Sequence, residues 1–284
     1  MIIDGKAIAQ KILMRLETEV ANLPFRPVFI DCVVGDDPVS LSYVRIKGKT
    51  AEKLGMEFKI AQYPATISTE ALIDELTTLQ GDARLCGLIV QLPVPEHIDK
   101  QAVIDAIKPE LDVDCIGTVN MNAFYANEPS QITLPTAGAV IELLQSIDVS
   151  LAGKSIVVVG QGELVGRPVT QMLRAQNLEP NIADASTTNL AELLSDADIV
   201  ISGTGQPNLI TGSMIKDGAV VIDAGTAESN GGIVGDVDFA SVEPKAAYVS
   251  PVPGGVGPVT VAKLLENVAV IARRKLGDNS NPTN

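Results

Sequence analysis

The run GKSIVVVGQGELVGRPVTQML, residues 153 to 173, constrains this chain more than any other. A β-branched apolar strand runs into a glycine turn, and the turn opens a helix. Gly160, Gly162 and Gly166 space the turn as GxGxxxG. Residues without side chains let backbone N–H groups and the positive helix end approach a pyrophosphate. Pro168 suits the first helical turn, where no N–H is missed. A glycine trio alone is equally a packing turn; the strand before it and the helix after it make it a dinucleotide-type site. Gly160, Gln161, Gly162, Val165 and Gly166 are the residues expected against a nicotinamide cofactor.

Asp184 closes the second strand of this half, 24 residues after Gly160. An acidic residue there accepts hydrogen bonds from an adenosine ribose and repels a 2′-phosphate. Gln161 puts no positive charge at the turn. Both favour NAD, although Asp184 could equally open a loop.

The rest of the chain alternates strands and helices, which implies parallel sheets covered on both faces. In the first half, PVFIDCVV and LCGLIVQLP read as buried strands, and Ile8, Ile12, Leu16 and Val20 stripe the first helix. Segment 108–133, rich in Asp, Asn and Pro, reads as an irregular loop bordering a site, followed by a helix from about 136 to 146. In the second half, NIAD, DIVISG, AVVIDAG and the region near AYVSP read as further strands. With 284 residues there is room for two ordinary domains. The expected fold is α/β and two-lobed, with a cleft between the lobes. Residues 1–147, completed by a C-terminal helix at 258–276, form one lobe, and 148–257 form a Rossmann-like lobe. The polar end, 277–284, is expected to be a disordered tail.

The net charge of −14, with no basic cluster, argues against nucleic acid and anionic membrane surfaces. One histidine and three scattered cysteines are too few for a zinc site, so no metal is expected. Cys32 and Cys86 lie in apolar runs as core thiols, consistent with a reducing, cytoplasmic setting. The N-terminus is not expected to act as a signal peptide, because Asp4 and Lys6 interrupt it, and no apolar run is long enough to cross a bilayer.

One residue sits on the wrong face. In VSLSYVRIKGKTAEKLGM, residues 39 to 56, Tyr43, Lys47, Ala51 and Leu54 share one helical stripe, while Arg45 and Lys49 fall on the opposite, solvated face. Lys47 therefore points inward or snorkels at the helix edge. A second glycine loop, SPVPGGVGPVT at 250 to 260, is stiffened by prolines and bares backbone at Gly254, Gly255 and Gly257. It reads either as an elaborate helix start or as a wall for a planar ligand.

The segments YVxxKxKxAExLG, VQLPxPxHID, DVD, VVGxGxxVGRP, GTGQP, VIDAG and PVPGGVGPVT occur in this order. Together they resemble the bifunctional methylenetetrahydrofolate dehydrogenase/methenyltetrahydrofolate cyclohydrolase family, from about residue 1 to 275. The resemblance implies a folate-binding lobe, an NAD or NADP lobe, a homodimer, and a place in one-carbon metabolism that feeds purine biosynthesis. It implies Tyr43, Lys47, Gln91 and Asp114 as catalytic residues. Val90 and Leu92 beside Gln91, and Pro253, Gly254, Gly255, Val256 and Gly257, are implied as further contacts to a tetrahydrofolate substrate. Ser186, Thr204, Gly205 and Thr226 join the cofactor set; Ser186 near the adenosine phosphate keeps NADP open.

Within that family the lysine faces inward because it borders the folate site. A charged lysine would hinder formation of a methenyl cation, and partial burial favours the neutral amine, which Gln91 can hold. Three segments depart from the family pattern: two near the expected cleft, and the cofactor turn, where Gln161-Gly162 stands for the usual Arg-Ser. DVD continues with Cys115-Ile116-Gly117-Thr118, although Asn120 keeps the family's position, and the usual Pro-Cys-Thr-Pro is replaced by TLPTAG with Leu134. These departures leave open a chain with one activity, or a non-catalytic folate or nucleotide binder. A different two-lobed dehydrogenase is countered by the VQLP and PGGVG segments.

Overall fold

The computed structural model describes residues 1–229 and 232–278. In chain order the first elements are α1 (Gly5–Ala21), β1 (Val28–Val34), α2 (Pro38–Lys53), β2 (Glu57–Tyr63), α3 (Thr69–Leu79), β3 (Leu85–Val90), α4 (Lys100–Asp105) and α5 (Thr118–Tyr125). There follow α6 (Pro135–Gln145), β4 (Ile156–Val159), α7 (Gly166–Arg174), β5 (Asn181–Ala183), α8 (Leu190–Ser195), β6 (Ile199–Ser202) and β7 (Val220–Asp223). The last are β8 (Ala227–Ser229), β9 (Gly232–Val234), α9 (Phe239–Val242), β10 (Tyr248–Val249) and α10 (Val256–Asp278).

The chain divides into two compact units: Ile12–Leu134 with the chain from Leu264 onward, and Met1–Lys11 with Pro135–Lys263. The first boundary falls at Leu134/Pro135 rather than at the expected 147/148. The physical reason is that α6 packs on α7, so its apolar face belongs to the second unit. Of the expected closing helix 258–276, only the part from Leu264 belongs to the first unit. Gly277 and Asp278 continue α10 instead of starting a tail, and the rest of that expected tail, 279–284, lies outside the described residues.

The first unit is built on a parallel three-stranded sheet, β2-β1-β3. Every residue of β1 and β3 is buried, as two-sided coverage demands. The edge strand β2, EFKIAQY, is half exposed and carries no apolar run, which is why sequence periodicity does not reveal it. The core joins Val28, Ile30 and Cys32 to Leu72 and Leu76 of α3 and Leu88 of β3. Helix α2 starts cleanly: Asp37 accepts a hydrogen bond from the Ser40 N–H at 2.7 Å, and Pro38 occupies the first helical position. Inside the expected loop 108–133 the structure places α5. That helix buries none of its residues and so has no apolar stripe to read.

The second unit holds a parallel five-stranded sheet in the order β10-β7-β6-β4-β5. Numbered by chain order within the unit, this is the doubly wound arrangement 2-1-3-4-5, whose crevice opens where the strand order reverses, between β4 and β6.

Candidate active site

The Lys47 side chain is only 11 % exposed, so it does not snorkel to solvent. Its Nζ donates to Gln91 Oε1 at 2.7 Å and lies 2.6 Å from Asp31 Oδ2. Gln91 follows β3 directly. Its backbone N–H continues the ladder to the Cys32 carbonyl, and its Nε2 donates to the Leu92 carbonyl at 2.7 Å. Both ends of the amide are thus committed, which fixes the oxygen toward the lysine. Tyr43 lies one helical turn before Lys47 and is half-buried, with its phenol pushed up by burial. Arg45 and Lys49 are exposed.

Asp31 had no place among the expected site residues. It sits at the centre of β1, fully buried, between Ile60 of β2 and Ile89 of β3. Burial pushes its carboxyl up and the neighbouring Lys47 opposes that shift. A signal for it does exist in the sequence: an aspartate inside the apolar run VFIDCVV has no reason to be there unless something answers it.

Asp114 belongs to the same electrostatic group. Its carboxyl is pushed up to about 7, mainly by burial, with Asp112 and Asp31 adding to the rise and Lys47 countering it. The turn that presents Asp114 is tied from behind. Buried Asp112 accepts from the Gly117 N–H at 2.9 Å and from Asn120 Nδ2 at 3.0 Å. Asn267 of α10 donates to the Val113 carbonyl at 2.8 Å and the Thr133 carbonyl at 2.7 Å. At the first departure from the family pattern, Cys115 is buried and takes the left-handed conformation, φ 58°. At the second, Leu134 is buried. The thiols of Cys32 and Cys86 are pushed up to about 12 and about 11 by burial, as core thiols are.

In the second unit, Gly160 ends β4 with φ 90° and donates its N–H to the Ala183 carbonyl at 2.8 Å. A β-carbon on Gly160 would lie 2.7 Å from the Gly203 carbonyl oxygen, so the loops after β4 and β6 meet backbone to backbone at the reversal of strand order. Gln161 Nε2 donates to the Gly160 carbonyl at 2.8 Å, and Val165 precedes α7. Around Gly162 a β-carbon would meet nothing within 4 Å. Open space beside a bared backbone at a helix start fits a dinucleotide.

Asp184 directly follows β5 and is exposed. Its Oδ1 accepts from the Ser186 N–H at 2.9 Å and the Ser186 hydroxyl at 2.6 Å, which hold the carboxyl below its ordinary range. Thr204 donates its N–H to Asp236 Oδ2 at 2.6 Å, an oxygen that also accepts from the Ser202 hydroxyl at 2.6 Å. Gly205 takes φ 71° beside the exposed Thr226. Asp223 and Asp236, both buried and both absent from the expected set, anchor these loops. Asp223 accepts from the N–H groups of Gly225, Asp236 and Val237, and burial pushes its carboxyl up to about 6. The Pro253–Gly257 stretch also lies in this unit, with Gly255 and Val256 buried and Pro253 and Gly257 exposed. Among the described residues no cluster of His, Cys, Asp and Glu could hold a metal ion, and no helix is long and apolar enough to cross a membrane.

A doubly wound sheet with a glycine turn at its strand reversal, and a parallel α/β unit with a lysine held between an amide and a buried carboxylate, define a nucleotide-dependent α/β enzyme. The chain matches the tetrahydrofolate dehydrogenase/cyclohydrolase catalytic domain over residues 3–114 and the NAD(P)-binding domain of the same family over 135–276. It belongs to the tetrahydrofolate dehydrogenase/cyclohydrolase family. It is 42 % identical over 279 residues to the bifunctional protein FolD of Lactobacillus acidophilus, covering 97 % of this chain and 98 % of that protein. The Trypanosoma brucei N5,N10-methylenetetrahydrofolate dehydrogenase-cyclohydrolase, solved with NADP and an inhibitor, superposes with TM-score 0.92 at 38 % identity, covering 97 % and 98 % of the two chains. The bifunctional FolD of Campylobacter jejuni superposes with TM-score 0.92 at 34 % identity, covering 96 % and 99 %.

Proposed function

We propose that this chain oxidises 5,10-methylenetetrahydrofolate to the 5,10-methenyl form with NAD(P)+ and hydrolyses that product to 10-formyltetrahydrofolate. The observation that carries the reading is Lys47 Nζ, inward-facing and held at 2.7 Å by Gln91. A nicotinamide cofactor held by the glycine turn after β4 would supply the acceptor for the hydride lost from the methylene carbon. Lys47 moves protons as water adds to the methenyl carbon and the ring opens. Asp114, with a carboxyl near 7, can donate or accept hydrogen bonds to a pterin ring at neutral pH. Tyr43, Val90 and Leu92 are the proposed neighbours of the folate, and Pro253–Gly257 its proposed backbone wall. Gly160, Gln161, Gly162, Val165, Gly166, Asp184, Ser186, Thr204, Gly205 and Thr226 are the proposed cofactor residues. The ionised Asp184 and the uncharged Gln161 favour NAD over NADP. A cytoplasmic homodimer is the assembly this reading adopts.

The test is a spectrophotometric assay of the purified protein with 5,10-methylenetetrahydrofolate, run in parallel with NAD and NADP. Reduction with NAD alone supports both the activity and the Asp184 argument. Reduction with NADP alone keeps the activity and discards that argument. If neither is reduced, decay of added methenyltetrahydrofolate distinguishes a lone cyclohydrolase from a protein that only binds.

A further inference from the structure

Asp31 is the single charged residue of β1, and every other position of that strand is apolar. Its Oδ2 meets Lys47 Nζ at 2.6 Å, outside good hydrogen-bond geometry, and its Oδ1 has no hydrogen-bond partner among the described residues. A carboxylate so placed is expensive to bury, and an apolar pair in its stead is often as stable or more so. Its presence in a buried strand therefore asks for a reason other than stability.

We propose that Asp31 is a positioning residue for Lys47: it draws the ammonium inward beside Gln91 and cancels its charge, so that a cation forming on a bound substrate meets a neutral pair. This rests on the proposed dehydrogenase and cyclohydrolase activities. Hydride loss from the methylene carbon leaves a positive charge on the methenyl bridge, and a lone ammonium nearby raises the energy of that step. The amine does not have to be neutral if a buried carboxylate balances it. The pair is neutral whichever atom carries the proton.

The groups facing this pair add no further positive charge. Asp114 is coupled to Lys47 and Asp31 from the loop after β3 and α4, with Asp112 behind it. Cys32 adjoins Asp31 as a neutral thiol, and Tyr43 is a neutral phenol on α2. The other cations of that part of α2, Arg45 and Lys49, lie on its exposed face.

The test uses Asp31→Asn, which keeps the shape, and Asp31→Val, which completes the apolar strand. For each, kcat and KM of both half-reactions are measured from pH 6 to 9. Labelling of Lys47 by an amine-reactive reagent, mapped by peptide mass spectrometry without substrate, is followed over the same range. In the variants, methylene oxidation falls at least tenfold at the acid end and recovers as pH rises, with the midpoint at which Lys47 becomes labelled. That midpoint lies below the wild-type one, and KM for the folate changes less than threefold. Rate profiles parallel to wild type at every pH, or an unmoved labelling midpoint, overturn the proposal. So does failure of both variants to fold, which would mark Asp31 as structural. A wild-type protein that turns over neither folate sinks the functional reading instead, and labelling still decides whether Asp31 governs the amine.

Discussion

A β-carbon on Gly166 would lie 1.9 Å from the carbonyl oxygen of Gly160. The first turn of α7 and the end of β4 are therefore in backbone contact, and neither can retreat without moving its strand or helix. Gly166→Ala is expected to cost about 1–3 kcal/mol or more through overpacking, read as a lower thermal midpoint, and to weaken NAD(P) binding. Gly162→Ala is the contrast. Its β-carbon meets nothing within 4 Å, so its melt is expected to superpose on wild type. Weaker cofactor binding in that variant, measured by calorimetry, would mean the open space belongs to the ligand.

Lys47→Met removes both the proposed proton carrier and the counter-ion of a fully buried carboxylate. Cyclohydrolase activity is expected to vanish while folate still binds. Breaking a buried pair on one side costs about 3–5 kcal/mol, so the variant unfolds at lower urea. Adding Asp31→Val to it is expected to recover most of that loss. Full hydrolytic activity in Lys47→Met would remove the lysine from the mechanism.

Asp184 carries its charge at the end of β5, held below the ordinary range by two hydrogen bonds from Ser186. Asp184→Asn keeps an acceptor oxygen for Ser186 and removes the charge. The NADP to NAD ratio of kcat/KM is expected to rise roughly tenfold, equivalent to about 1.4 kcal/mol. An unchanged ratio would mean that Asp184 only shapes its own turn.

Asp223 makes stability depend on pH in the unusual direction. Its carboxyl is raised from 3.8 in the unfolded reference to about 6 in the folded protein. Between those values the folded state holds a proton that the unfolded chain has released. Stability from this group is thus greatest at the acid end and falls as pH rises from about 4 through about 6. The loss is on the order of 3 kcal/mol. Asp114, raised to about 7, acts with the same sign over a wider window. Urea unfolding at pH 5 and pH 7.5 is expected to show a smaller decline in Asp223→Asn than in wild type. That variant starts from a lower stability, because its amide nitrogen faces the Val237 N–H.

Elements whose pattern is local were readable along the chain. The buried strands, the place of Lys47 on the apolar stripe of α2 and the strand-turn-helix around Gly160 all follow from spacing within one element. So did the family, through segments such as VQLPVPEHID and PVPGGVGPVT. The edge strand β2 and helix α5 escaped because neither buries a continuous face.

What the sequence by itself determined was which residues share a face within an element and the order of those strands and helices that bury a continuous face. Only the tertiary structure decided what those residues meet. Lys47 reaches Asp31 and Gln91 because α2 lies against a sheet in which β1 and β3 run parallel, in a register that carries Gln91 to the Cys32 carbonyl. Asp31 and Lys47 are far enough apart that no helical or strand period links them. Periodicity is a property of one element; the pairing of a buried charge depends on how elements pack.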